Sequence, residues 1–234
     1  MTSIADLDRR YYPGYVDEHE RFDAAIRRYL TPGAAVLDAG AGRGVMYPNT
    51  YREQVARMAG ADVDPAVMDN TNLTDAVVSD LGHLPYEDAT FDVAFSKYVF
   101  EHLDRPVDVL RELRRVLKPG GHLLIHTPNR WHYVAIGATV TPMRFHVWFN
   151  ERRGRIQEDT FPTRYRINDE KTIRRLAAAA RFRVIELDLF ETKPDYLLFS
   201  PIAYRAGIVY ERLVNSTEKL ARFRVQLIAD LVAA

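Results

Sequence analysis

The stretch Ala34-Ala35-Val36-Leu37-Asp38-Ala39-Gly40-Ala41-Gly42-Arg43-Gly44 sets the fold. Residues 34–39 form a short apolar run interrupted by one acid, the pattern of a buried strand, and pass straight into glycines at every second position. In an α/β sheet the first strand-to-helix turn is where a nucleotide-like ligand meets the main chain, and glycine lets that chain approach with no Cβ in the way. Spacing narrows the ligand. The dinucleotide pattern G-x-G-x-x-G needs a glycine where Val45 stands, and no lysine in the chain follows a glycine, so a G-x-x-x-x-G-K-[ST] phosphate loop is absent as well.

Outward from this turn, short apolar runs alternate with longer amphipathic ones, which is the order of a parallel sheet covered by helices. A helix over 18–30 precedes a Thr31-Pro32-Gly33 break. Further strands are expected at 56–61, 76–78, 91–96 and 122–127. Over 105–117, Val109, Leu110, Leu113, Val116 and Leu117 recur at helical spacing before the breakers Lys118-Pro119-Gly120-Gly121. Asn168 is placed to cap a helix through Arg181, a sixth strand follows at 184–190, and the tail 223–232 supplies a seventh. Two stretches, 128–167 and 193–219, interrupt the alternation and read as ordered insertions because both are rich in aromatics and arginine.

Two acids sharpen the ligand reading. Asp62, 22 residues after Gly40, ends the second strand, where a carboxylate accepts from both ribose hydroxyls. Asp80 follows the third strand, placed to accept from an exocyclic amine, with Leu81 and Leu84 offering apolar faces to a ring.

Composition excludes other classes. Lys+Arg and Asp+Glu both total 32, so no global field draws in a polyanion and nucleic acid is not an expected partner. With no cysteine, disulfides, thiolate metal sites, iron–sulfur clusters and cysteine nucleophiles are excluded. Residues 1–10 lack the basic-then-apolar layout of a secretory leader, and no apolar run approaches the ~18 residues of a membrane span, so a cytoplasmic location is expected.

In its order of motifs the chain resembles the class I S-adenosylmethionine-dependent methyltransferases of the small-molecule and quinone-type group. The likeness rests on residues 36–44; on Gly60-Ala61-Asp62-Val63-Asp64-Pro65; on Leu84-Pro85-Tyr86-Glu87-Asp88-Ala89-Thr90-Phe91-Asp92; on Glu101-His102; and on Arg115-Val116-Leu117-Lys118-Pro119-Gly120-Gly121. It implies a Rossmann-like methyltransferase fold, a mostly parallel seven-stranded sheet with helices on both faces, in a single domain over 1–234. Within it, 1–30 is a helical lid, 34–127 the cofactor core, 128–167 an acceptor-side insertion, and 168–234 the rest of the sheet with its insertion at 193–219. The cofactor implied is S-adenosylmethionine. Asp38, Ala39, Gly40, Ala41, Gly42 and Gly44 would cradle it, Asp62 and Val63 would meet the ribose, Asp80 and Leu81 the adenine, and Ser96 and Lys97 would present backbone to the methionine end. Tyr12, with Tyr11 and Tyr15, would lie over the sulfonium or else anchor the N-terminus. One departure is the short first helix, since Pro48 and the early second strand leave it a turn or two.

A sulfonium cofactor without phosphate suits a loop of glycines and acids with no lysine. Methyl transfer is an in-line displacement in which positioning does most of the work, so a dedicated catalytic residue is optional. Tyr98 stands where metal-using relatives carry a glutamate, and no metal is expected. His102 and His132, beyond the fourth and fifth strands, are the candidates for a general base. His19, His83 and His122 read as structural and His126 as a core imidazole, while His146 falls in the aromatic insertion. That insertion sets Trp131, Tyr133, Val134, Ile136, Met143, Phe145, Val147, Trp148 and Phe149 before Arg152, Arg153 and Arg155, which suits a small or amphiphilic, lipid-linked acceptor methylated at a hydroxyl and reached at a membrane surface. The competing readings are a non-catalytic partner protein that binds the same cofactor and, against the glycine spacing, an NAD-dependent oxidoreductase.

Overall fold

The computed structural model describes residues 3–45, 51–140 and 162–234. Seven strands, β1 (Ala35–Ala39), β2 (Arg57–Asp62), β3 (Asp75–Val78), β4 (Phe91–Lys97), β5 (Leu117–Pro128), β6 (Phe182–Phe190) and β7 (Gln226–Ala233), form one sheet in the order β3-β2-β1-β4-β5-β7-β6. β1 to β5 pair in parallel, and β7 runs antiparallel to both β5 and β6. Every residue of β7 is buried, which explains why this strand reads as a near-continuous apolar run.

Among the described residues six helices accompany the sheet: α1 (Ile4–Tyr11), α2 (Glu18–Arg27), α3 (Pro106–Val116), α4 (Tyr133–Val140), α5 (Glu170–Ala179) and α6 (Pro201–Asn215). On one face Phe22 and Ile26 of α2 pack with Tyr51, Val36, Met58 and Phe95. On the other, Leu110 and Leu113 of α3 and Ile173 and Ala177 of α5 pack over Leu37, Ala59, Leu123 and Leu231. Each fully buried side chain of this kind stabilises the fold by about 1.5–3 kcal/mol, so the α2 contacts make this helix a structural part of the sandwich. Outside the two main clusters, α1 packs on α6 through Leu7, Tyr204 and Ile208. Of the stretch 1–30, α2 thus belongs to the core while α1 packs on α6.

Other elements depart from the sequence reading for local reasons. The cap of α5 is Asp169, whose side chain accepts from Thr172 N at 2.9 Å, while Asn168 turns inward to Thr127 and Pro128. Lys118 to Gly121 do not separate helix from strand but belong to the first part of β5, with Gly120 at φ 79° and a register shift against β4. The insertion at 193–219 holds the longest helix described, α6, started by Ser200 as cap and Pro201 at its first position. Residues Glu218–Phe223 are a 3-10 turn, and the last strand begins at Gln226. Among the described residues no helix separates β1 from β2.

The chain proceeds from β1 to β2 and β3 on one side and then to β4 and β5 on the other. That reversal opens a crevice beyond the carboxyl ends of β1 and β4.

Candidate active site

The glycine turn leaves β1 at this crevice. Gly40 has φ 89° and donates to Ala61 O at 2.8 Å; a Cβ there would stand 2.2 Å from Val99 Cγ2, so only glycine fits. Gly44, at φ 75°, is equally constrained, since its Cβ would meet Asn70 Oδ1 at 2.3 Å. Between them Gly42 faces open space: the nearest atom to a Cβ there is Asp62 Oδ2 at 4.0 Å. A cradle is therefore present where a ligand would rest on backbone.

Asp62 is both a candidate ligand group and a tether of the turn. Its Oδ2 accepts from Gly42 N and its Oδ1 from Asp64 N, each at 2.8 Å, which leaves one lone-pair direction on each oxygen for a ribose hydroxyl. The buried Asn70 completes the turn by donating to Ala41 O and Gly42 O, both at 3.1 Å, and Asn72 donates to Gly44 O. Sequence reasoning missed both asparagines; the only signal was an Asn following an Asp-Pro turn. Val63 is exposed beside Asp62. Asp80 is an exposed turn residue that accepts from Gly82 N at 2.6 Å. Leu81, by contrast, is buried with Leu84 in the core. Asp38 lies under the turn, and burial, with the Asp62 carboxylate adding to it, pushes its carboxyl up to about 8.

The other side of the crevice begins at Ser96, whose hydroxyl donates to Ala39 O at 2.7 Å and clamps β4 to β1. Beyond it Tyr98 sits at φ 56°, a conformation that costs about 1–3 kcal/mol outside glycine. It is held there by Tyr98 N donating to His126 O at 2.9 Å and by Gln226 Nε2 donating to its hydroxyl at 3.3 Å. Gln226 also meets His126 Nε2 at 3.1 Å, and burial, reinforced by Lys97, brings the His126 imidazolium down to about 3. The buried Glu101 accepts from Thr127 Oγ1 at 2.9 Å, and Asn168 donates to the same hydroxyl at 2.5 Å. Burial pushes Glu101 up to about 7.

The two histidines expected as bases fare differently. His102 stands on the rim with Nδ1 at 3.3 Å from Pro162 O. His132 is only 1% exposed, packed between Tyr133 and Tyr210 with Nε2 at 3.5 Å from Glu191 Oε1, so it does not open onto the acceptor side. Tyr12 packs on α6, its hydroxyl at 3.5 Å from Glu211 and its ring under Arg212. Unforeseen is His19, which meets the end of Lys97 from α2. Of the acceptor-side insertion, Met143, Phe145, His146, Val147, Trp148, Phe149, Arg152, Arg153 and Arg155 lie outside the described residues. Its described flanks, Arg130, Trp131, Ile136, Thr163, Arg164 and Tyr165, line a pocket of about 240 Å³. Among the described residues no helix is long and apolar enough to cross a membrane, and no group of three or more His, Asp or Glu side chains is arranged around a metal position.

Comparison with known proteins bears on this geometry. Residues 37–125 match the methyltransferase domain family. Over 131 residues the chain is 34% identical to a "probable S-adenosylmethionine-dependent methyltransferase" of Mycolicibacterium smegmatis, covering 52% of this chain and 50% of that one. It is 33% identical over 100 residues to the malonyl-[acyl-carrier protein] O-methyltransferase of Serratia marcescens, covering 41% and 39%. The chain thus spans half or less of the length of these two relatives. In three dimensions it is similar to the geranyl diphosphate C-methyltransferase of Streptomyces coelicolor, solved with Mg2+, geranyl diphosphate and S-adenosyl-L-homocysteine, at a TM-score of 0.59 and 15% identity over 97% of this chain and 86% of that one.

Proposed function

We propose that this chain, whose residues 37–125 match the methyltransferase domain family, is a class I S-adenosylmethionine-dependent methyltransferase that transfers a methyl group to the hydroxyl oxygen of a small or lipid-linked acceptor. The observation that carries the reading is the open face of Gly42 beside an Asp62 whose two oxygens each keep one acceptor direction free. That pairing suits a ribose and a cationic methionine end, and it offers a pyrophosphate no countercharge. Gly40, Ala41, Gly42 and Gly44 carry the cofactor on backbone; Asp62 and Val63 take its ribose, Asp80 its adenine, and Asp38 with the main chain of Ala39, Ser96 and Lys97 its amino-acid end.

The acceptor enters from the β4–β5 side. Trp131 and Ile136 give that entrance exposed apolar surface next to Arg130 and Arg164, a combination that favours an acceptor with an apolar body and an anionic or polar head, presented at a membrane surface.

Calorimetry with adenosylhomocysteine and with NAD tests the cofactor half: heat with the first and none with the second is expected, and the reverse refutes it. Trideuteromethyl-labelled S-adenosylmethionine added with the protein to cell extract, followed by mass spectrometry, tests the acceptor half. Label in an oxygen-methylated lipid or small molecule supports the reading, and adenosylhomocysteine binding without any labelled product assigns the chain to a non-catalytic partner role.

A further inference from the structure

Lys97 closes β4 at the carboxyl edge of the sheet, and its side chain does not run out to solvent. Nζ meets Nδ1 of His19 on α2 and lies 5.7 Å from the centroid of the Tyr98 ring. His19 in turn has Nε2 at 4.0 Å from Glu18 Oε1, and its ring stands edge-on to Tyr98 at 6.4 Å. Among the described residues, the charged and titratable groups around this amine come from three elements: Asp17, Glu18, His19 and Asp23 at α2, Asp38 on β1, and His126 on β5. Asp17, Glu18 and Asp23, and Asp38 where ionised, favour the ammonium, yet burial outweighs them and pulls Lys97 down to about 7. His19 is lowered too, by burial first and by Lys97 second. Near neutral pH a large share of the pair is therefore an uncharged amine touching an imidazole.

We propose that Lys97 is the general base of the transfer, taking the acceptor's hydroxyl proton at Nζ, and that His19 is a positioning residue that holds the amine and passes the proton on. The proposal rests on the functional reading above and deepens it. When bound, S-adenosylmethionine supplies an electrophilic methyl, whose bond to sulfur breaks with the electron pair left on sulfur as the acceptor oxygen–carbon bond forms. The hydroxyl proton ends on Lys97, so one positive charge disappears at the sulfonium and one appears at Nζ. Net charge in a dehydrated crevice is thereby conserved, which avoids the cost of creating charge at low dielectric. The ammonium then donates to Nδ1 of His19, and release from Nε2 beside Glu18 restores the base. An amine of this strength matches a phenol or enol hydroxyl, whose acidity lies within its reach, better than an alkanol.

The chain has five lysines, so reductive 13C-methylation gives five lysine resonances beside that of the α-amino group, and Lys97→Arg identifies the one from Lys97. Its midpoint is expected near 7, and His19→Gln should move it upward by admitting water; a midpoint at the ordinary lysine value of about 10.4 overturns the proposal. With a panel of phenolic and enolic acceptors, Lys97→Ala should lower kcat by roughly 10²–10⁴-fold while leaving the adenosylhomocysteine Kd nearly unchanged. Added methylamine should restore kcat in proportion to its free base. A Lys97→Ala enzyme as active as wild type, or a loss that no amine restores, refutes the base alone. A wild-type protein that binds no adenosylhomocysteine, or methylates nothing in the panel, refutes the functional reading instead.

Discussion

Along the β1–β2 edge of the crevice, the contacts that shape the ligand turn have main chain on at least one side: Asp62 on the amides of Gly42 and Asp64, Asn70 on the carbonyls of Ala41 and Gly42. Along the β4–β5 edge, side chains meet side chains: Glu101 with Thr127 and Asn168, His126 with Gln226, Lys97 with His19. Those bonds tie down the turn on the first edge, while burial pushes the Asp38 carboxyl beneath it up to about 8. On the second, and on the neighbouring end of β6, His126 Nδ1, His132 Nε2, Asn168 Oδ1 and Glu191 Oε2 are buried with no hydrogen-bond partner among the described residues. A backbone-built edge is stiff and specific for one ligand geometry, whereas an edge of strained or unsatisfied side chains is costly and holds the groups that chemistry can draw on.

That contrast breaks most visibly at Gly40. Gly40→Ala adds an atom 2.2 Å from Val99 Cγ2 at φ 89°, and overpacking plus left-handed strain should together cost about 2–5 kcal/mol in denaturant unfolding. Val99→Ala in the same chain should recover the packing part and leave the strain; a fully stable Gly40→Ala protein would show that the turn is not fixed by its backbone. Next in size, Asp62→Ala should weaken adenosylhomocysteine binding by about 2–3 kcal/mol, roughly 30–150-fold, because turn and ribose lose the same carboxylate. An unchanged Kd in calorimetry removes Asp62 from the site.

The side-chain edge is probed by pH. Glu101 titrates at about 7 when folded, above its unfolded value, so the folded state holds its proton more tightly. Its contribution to stability is complete below the unfolded pKa and is lost as pH rises through 7, by about 2 kcal/mol between pH 5 and 7. Thermal melts of Glu101→Gln should lack this decline, and parallel curves for variant and wild type would place the carboxyl in water. Smallest is Tyr12→Phe, which loses one long bond to Glu211 and should change stability by about 0.5 kcal/mol or less with no effect on adenosylhomocysteine affinity. A fall in that affinity would return Tyr12 to the cofactor.

The same division governs what could be read from sequence. The glycine turn, Asp62 and the parallel strands depend on local pattern and on residues close in the chain, and they stand out as such. His19 and Lys97 are 78 residues apart, and nothing local to either one signals the other. The helix α6 escaped for a different reason: its inner face carries Tyr204, Ile208 and Val214 but also Glu211, while Ile202, Val209 and Leu213 are exposed, so the apolar period is blurred. At α5 two adjacent residues could each cap a helix, and only the buried needs of Thr127 Oγ1 and Pro128 O assign Asn168 inward and leave the cap to Asp169.

The place of β7 has a consequence for biosynthesis. It is the last strand in the chain yet lies between β5 and β6, pairing His122 with Val232 on one side and Phe182 with Ala233 on the other. During vectorial synthesis β1 to β5 can associate as they emerge, but β5 then presents an open apolar border, and β6 has nothing to join until residues 226–233 arrive. Nascent or truncated chains that stop short of β7 therefore expose a template for intermolecular strand pairing, and chaperone demand should peak in that interval.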